Sequence, residues 1–174
     1  KLVLSKIRKA IGVENGNIFP TAGAPLSDTI NEFLHSCGIN IIYGYGLSET
    51  TATVTCFETS GYEFGTVGTT LPGIQVKMGE DNEILVKGGT VMKGYYKKPE
   101  ETAKVFTKDG WFKTGDAGKL NAEGSLVLTE RIKDLFKTST GKYIAPQAIE
   151  TKLGEDKYID QVAVIGDQRK YVTA

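Results

Sequence analysis

The stretch YGYGLSE, residues 43–49, sets Gly44 and Gly46 around Tyr45 and follows them with a hydroxyl and a carboxylate, Ser48 and Glu49. Each residue type suits one part of a nucleotide. Glycine lets backbone approach a ligand closely, and a tyrosine ring offers a flat face to a planar base. A serine hydroxyl can hydrogen-bond a phosphate oxygen, and a glutamate can hold Mg²⁺, which shares its oxygen ligands with substrate phosphates. The same residues also describe a glycine-rich strand end with a helix cap at Ser48, and on this stretch alone both readings stand. GWFKTGDAG, residues 110–118, adds Asp116, which can either close an Asx-turn or accept both hydroxyls of a ribose. ERIKDLFKTSTGKYIAP, residues 130–146, adds Arg131 and Lys133 at an abrupt change of sequence character. Clefts at such junctions favour ligands.

Those residues need elements to carry them. Residues 2–11 place Val3, Ile7, Ala10 and Ile11 on one helical face, with Gly12 as the stop. NIFPTAGAP reads as a short buried strand entering a small-residue loop. Ser27 is expected to cap a second helix whose buried stripe is Ile30, Phe33, Leu34 and Cys37, ended by Gly38. INIIYGYG reads as a fully buried strand. Strand, helix, strand predicts a parallel α/β sheet, in which ligands sit beyond the carboxyl ends of strands. TAGAP and GYGLSE both fall there. From about residue 65 the pattern changes to a hairpin turning at GEDN, a helix from Pro99, and a second hairpin turning at NAEG. A third unit reads as a hairpin (LFKT, STG, KYIAP), a helix from Pro146 to Gly154, and a strand, YIDQVAVIG. The fold class is thus α/β and α+β. A partial parallel α/β layer spans 1–64, an antiparallel β-barrel-like subdomain 65–132, and the start of a small α+β C-terminal domain 133–174.

Composition narrows the partners. With 40% hydrophobic and 24% charged residues the chain is neither disordered nor collagen-like. A net charge of zero gives no electrostatic case for nucleic acid. No apolar run approaches the roughly 20 residues that span a bilayer. Cys37 and Cys56 lack metal or CxxC spacing and read as buried free thiols of a reducing cytoplasm. His35, the only histidine, is expected at the surface. Trp111 and Phe112 are expected to pack beneath an Asp116 turn, and Tyr95 and Tyr96 to serve as barrel surface and core. Without an initiator Met, and with RKYVTA reading as a strand just begun, the chain reads as a piece of a longer protein.

TAGAPLS, YGYGLSETTA, GTVGTTLPGIQVK, EILVKGGTVMKGYYKKPEETAKVF, DGWFKTGDAG and ERIKDLFKTSTGKYIAPQAIE occur in the order and spacing of the adenylate-forming superfamily. Within it the chain most resembles a long-chain fatty acid–CoA ligase. The resemblance implies that Gly23, Ala24 and Pro25 edge an adenine pocket and that Tyr45 stacks on adenine, with Tyr43, Gly44 and Gly46 beside it. Ser48, where the family usually has Thr, would contact the phosphate, and Glu49 would hold Mg²⁺. Asp116 and Arg131 would bind the ribose. Lys133 would be the hinge of the C-terminal domain, a place where many relatives have Asp. Gly141 would lie in the loop approaching CoA, although a plain hairpin turn explains it equally well. The implied reaction joins a fatty acid to ATP as acyl-AMP, then passes the acyl group to CoA. The family's phosphate loop would precede Lys1 and its catalytic lysine would follow Ala174, so this piece is expected to lack the parent's activity. The resemblance implies a cytoplasmic parent and leaves open its peripheral membrane association; apolar surface uncovered by the missing layers leads to an expectation of self-association of the piece. Two alternatives stand: an aminoacyl- or aryl-adenylating domain feeding a carrier protein, which KYIAPQAIE disfavours, and a noncatalytic AMP-binding fragment.

Overall fold

The computed structural model describes residues 2–57 and 61–174; the side chains of Val3 and Lys133, both singled out above, lie outside the described residues. Helix α1 (Leu2–Ala10) ends where Gly12 takes φ +75°. Strand β1 (Phe19–Thr21) runs parallel to β2 (Ile41–Tyr43), with helix α2 (Asp28–Ser36) as the crossover that parallel pairing requires. α2 stops in a Schellman motif: the Ile39 amide donates to the Leu34 carbonyl at 3.0 Å and the Gly38 amide to His35 at 2.9 Å. Leu34, Cys37, Ile39 and Ile41 then pack with Leu4 and Ile7 of α1 into one apolar cluster.

The predicted stripe of α2 holds only in part. Leu34 and Cys37 face the cluster, but Ile30 and Phe33 point outward, 49% and 56% exposed. Asn31 is buried instead, its Nδ2 donating to the Tyr62 hydroxyl at 2.7 Å. The covered seam therefore runs through Asn31, Leu34 and Cys37. Ala10 and Ile11 are exposed as well, and β1 is half-buried with Pro20 exposed, where a buried strand is expected. Like Ile11, Ile18 is left exposed in this layer, whereas the elements of a parallel α/β layer are normally covered. His35 is half-buried rather than at the surface: its ring lies 4.2 Å from that of Tyr62, and Nε2 is 3.1 Å from the Ile41 carbonyl.

A small antiparallel pair, β3 (Thr55–Cys56) and β4 (Thr69–Thr70), leads into a curled antiparallel half-barrel. Its strands β5 (Ile74–Met78), β6 (Glu83–Gly88), β7 (Phe112–Leu120) and β8 (Leu126–Arg131) lie in chain order, and both predicted hairpins form. The core sits here. Val54, Ile84, Val86 and Leu126 are fully buried around Tyr45 and Val67, each aliphatic side chain contributing about 1.5–3 kcal/mol. Helix α3 (Pro99–Lys104) starts at a proline with Glu100 and Glu101 in its first turn, as the helix dipole favours.

Asp116 was expected in a turn and lies within β7. The ladder to β8 runs straight through it, with a register shift only between Ala117 and Gly118. There is consequently no Asp116 turn for Trp111 to support; Trp111 instead carries the Lys77 ammonium 4.3 Å from its ring. The last unit has the predicted hairpin, β9 (Phe136–Lys137) with β10 (Tyr143–Ile144), and helix α4 (Pro146–Leu153). YIDQVAVIG forms no strand. A strand needs a ladder partner, and here only Ile165 bridges, to Thr173. Cys37 and Cys56 are free, with Cys37 buried and Cys56 half-exposed. Among the described residues no helix is long and apolar enough to cross a membrane.

Candidate functional site

The carboxyl ends of β1 and β2 open into one cavity of about 870 Å³. After β1 the chain turns through Gly23 at φ +86°, with open space where a Cβ would stand. Tyr43 pins this loop: its hydroxyl donates to the Ala24 carbonyl at 3.0 Å and accepts from the Leu26 amide at 3.3 Å. Burial is the main cause of a raised pKa for that phenol. After β2, the Gly44 amide donates to Thr21 at 3.0 Å and ties the two loops together. The glycines at 44 and 46 are required by the protein's own backbone. A Cβ on Gly44 would stand 2.9 Å from the Thr55 carbonyl oxygen, and one on Gly46 would overlap the Ala52 carbonyl. The chain folds back on itself here through Thr51 and Ala52, both non-glycine residues at positive φ.

Tyr45 is 8% exposed; its ring belongs to the core while still lining the cavity. Its hydroxyl donates to Asp116 Oδ2 at 2.6 Å. Burial first, and the Asp116 carboxylate second, push the phenol far above its ordinary pKa. Strand pairing sets Asp116 opposite Arg131, with Arg131 Nε 3.7 Å from Asp116 Oδ1 and Nη1 3.7 Å from Asp134 Oδ2. A carboxylate offers about four acceptor sites. Tyr45 takes one, so Asp116 can still accept a pair of neighbouring hydroxyls.

The opposite wall comes from α4 and the residues after it. Gln147 Nε2 donates to Asp134 Oδ2 at 2.9 Å, and Ser27 Oγ donates to Glu155 Oε1 at 2.8 Å. Ser27 thus holds the N-cap position of α2 without capping it; its hydroxyl is turned across the cavity. The Lys152 ammonium, and then Ser27, hold the Glu155 carboxyl below the usual carboxylate range.

Ser48 opens a 3₁₀ turn, Ser48–Thr50, but the cap is made by Thr50, whose Oγ1 accepts the Leu47 amide at 2.9 Å. The Ser48 hydroxyl is exposed on the cavity wall without a partner among the described residues. Glu49 Oε1 accepts from the Tyr95 phenol at 2.9 Å, and its Oε2 has no partner there. No group of three His, Cys, Asp or Glu that could enclose a metal ion occurs among the described residues. One free carboxylate oxygen beside a free hydroxyl suits an ion that brings phosphate and water ligands of its own, as Mg²⁺ does.

Gly23, Ala24, Pro25, Tyr43, Gly44, Tyr45, Gly46, Ser48, Glu49, Asp116 and Arg131 all border this one cavity. Gly141 does not; it sits exposed at φ +86° at the tip of the β9–β10 turn. Three features escaped the sequence reading: the α4 wall, the Tyr95 bond, and a second cavity of about 210 Å³. That second cavity shares Gly44 and Tyr45 with the first and is otherwise lined by residues such as Pro20, Ile42 and Cys56. All three join residues far apart in the chain, which spacing cannot show.

Residues 3–96, more than half of the chain, match the model of AMP-binding enzymes. The chain belongs to the AMP-binding enzyme family. Over all 174 of its residues the chain is 38% identical to a long-chain-fatty-acid–CoA ligase of Mycobacterium bovis, of which it spans 29%. Over 97% of its length it is 34% identical to long-chain-fatty-acid–CoA ligase 1 of Saccharomyces cerevisiae, of which it spans 26%. Among solved structures, an O-succinylbenzoate coenzyme A synthetase from Bacillus subtilis, in complex with ATP and a magnesium ion, superposes on 99% of the chain. That match has a TM-score of 0.79 at 26% identity and covers 39% of the synthetase.

Proposed function

We propose that this chain is the nucleotide-holding part of an AMP-forming acid–thiol ligase that acts on long-chain fatty acids. The observation that carries this reading is the convergence of two strand-end loops, Asp116 and Arg131 on a single cavity. In the first half-reaction a fatty acid carboxylate oxygen attacks the α-phosphorus of Mg·ATP and pyrophosphate leaves. In the second, CoA thiolate attacks the acyl carbonyl and AMP leaves. Neither step needs a protein nucleophile, so the protein's contribution is positioning and charge. Tyr45 would floor the adenine, Asp116 and Arg131 would fix the ribose, and Ser48 would meet the phosphate. Glu49 would hold the Mg²⁺ that enters with ATP, which neutralises phosphate charge. The second cavity abuts Gly44 and Tyr45 and would seat the acyl end of the adenylate. Residues 133–174 would pivot about Lys133 between the half-reactions and bring Gly141 toward CoA.

The relatives named as long-chain-fatty-acid–CoA ligases support the acyl substrate. A second reading, an aryl acid, is favoured by the structural likeness to an O-succinylbenzoate coenzyme A synthetase. ATP–pyrophosphate exchange by the full-length protein separates them: long-chain fatty acids should drive exchange, and exchange with aryl or amino acids alone would overturn the fatty acyl reading. Calorimetry of the 174-residue chain with AMP tests the nucleotide seat itself.

A further inference from the structure

We propose that Tyr95 is a positioning residue for Glu49, and that residues 90–95 form a brace that sets the 48–52 turn. This rests on the reading of Glu49 as the metal-holding carboxylate. Three bonds join the two segments. The Met92 amide donates to the Glu49 carbonyl at 2.7 Å, Thr51 Oγ1 donates to the Thr90 carbonyl at 2.7 Å, and the Tyr95 hydroxyl donates to Glu49 Oε1 at 2.9 Å. The turn needs such ties, because Thr51 and Ala52 both sit in left-handed conformations that persist only when the surroundings impose them.

Tyr95 is itself held. Its amide donates to Thr102 Oγ1 at 2.9 Å, and that hydroxyl donates onward to the Lys98 carbonyl at 2.8 Å. Gly94 lets the chain pass this close: a Cβ there would stand 2.6 Å from Thr102 Cγ2. A line of contacts therefore runs from α3 through Tyr95 to the carboxylate. A glutamate on a cavity wall would otherwise exchange rotamers. With Oε1 engaged, Oε2 remains as the oxygen free to meet an ion. The neighbouring Tyr96 makes no bond to the site; it is 85% exposed, with the Lys97 ammonium 5.3 Å from its ring.

The test uses the full-length protein and Mn²⁺ as probe, titrated by electron paramagnetic resonance in the presence of a non-hydrolysable ATP analogue. Tyr95→Phe should raise the Mn²⁺ dissociation constant about threefold to tenfold, the effect of losing one part-exposed hydrogen bond of ordinary net strength. Nucleotide affinity measured in EDTA should stay unchanged. Thr102→Ala should shift Mn²⁺ binding the same way, Thr102→Ser should restore it, and Tyr96→Phe should match wild type. If Tyr95→Phe loses its thermal transition, the Thr102 pair carries the test. Should Glu49→Gln abolish Mn²⁺ binding while Tyr95→Phe and Thr102→Ala bind as wild type, the brace is refuted and Glu49 keeps its role. Should Glu49→Gln bind Mn²⁺ as tightly as wild type, the reading of Glu49 fails and the brace with it.

Discussion

Replacing Tyr45 by phenylalanine removes one oxygen and keeps the ring that fills the core, so no cavity opens. The loss is the 2.6 Å bond to Asp116 Oδ2. A hydrogen bond to a charged group contributes about 1.5–3 kcal/mol. The Asp116 side chain is 16% exposed, so water can replace part of that bond, and the expected loss is about 1–2 kcal/mol. Urea unfolding of the full-length protein, followed by circular dichroism, should show a lower midpoint with an unchanged slope. The pH dependence supplies a second check. An unfolded tyrosine releases its proton near pH 10, whereas burial and Asp116 make Tyr45 keep its proton well beyond that. Above pH 10 the unfolded state has therefore lost a proton that the folded state retains, and stability falls as pH rises. Tyr43, Tyr62 and Tyr95, all raised chiefly by burial, add to that slope in both proteins. The variant's phenyl ring has no proton to lose, so the gap between variant and wild type should shrink above pH 10. Equal stability at pH 7 with an identical alkaline slope would refute the reasoning.

Gly46→Ala should destabilise by about 3 kcal/mol or more, because the new methyl overlaps the Ala52 carbonyl. Gly23→Ala meets open space and should cost only the left-handed strain, about 1–2 kcal/mol; thermal unfolding of the pair checks the contrast. Asp116→Asn should weaken AMP binding about tenfold or more by calorimetry and leave 2′,3′-dideoxy-AMP unaffected, since that analogue lacks the diol. Ile30 and Phe33 are exposed apolar side chains one helical turn apart on α2, so the 174-residue chain should self-associate in sedimentation velocity. Changing both residues to Glu should return it to monomer.

Turn chemistry made the hairpins legible: GEDN and NAEG each sit between alternating strands, and both fold as read. The cavity was legible because a parallel sheet presents its loops at one end. Other residues depended on partners that spacing cannot reveal. Which side of α2 is covered was decided by Tyr62 drawing Asn31 inward. Of the two readings open for Asp116, the Asx-turn suggested by its glycine neighbours does not form, because the β8 ladder holds the residue extended. Gly44 and Gly46 carried a correct signal of close approach, although the approaching group proved to be backbone at 52–55. YIDQVAVIG has strand composition and finds no ladder to join.

The wall contributed by α4 hangs largely on two side-chain bonds, Ser27 to Glu155 and Gln147 to Asp134. Segments so lightly fastened open on their own, well below the free energy of global unfolding. A molecule lodged in the cavity would touch this tail and both strand ends together and act as a temporary rivet. Its signature would be slowed amide exchange in residues 146–155, and the lifetime of the occupied state would follow how often that tail lets go.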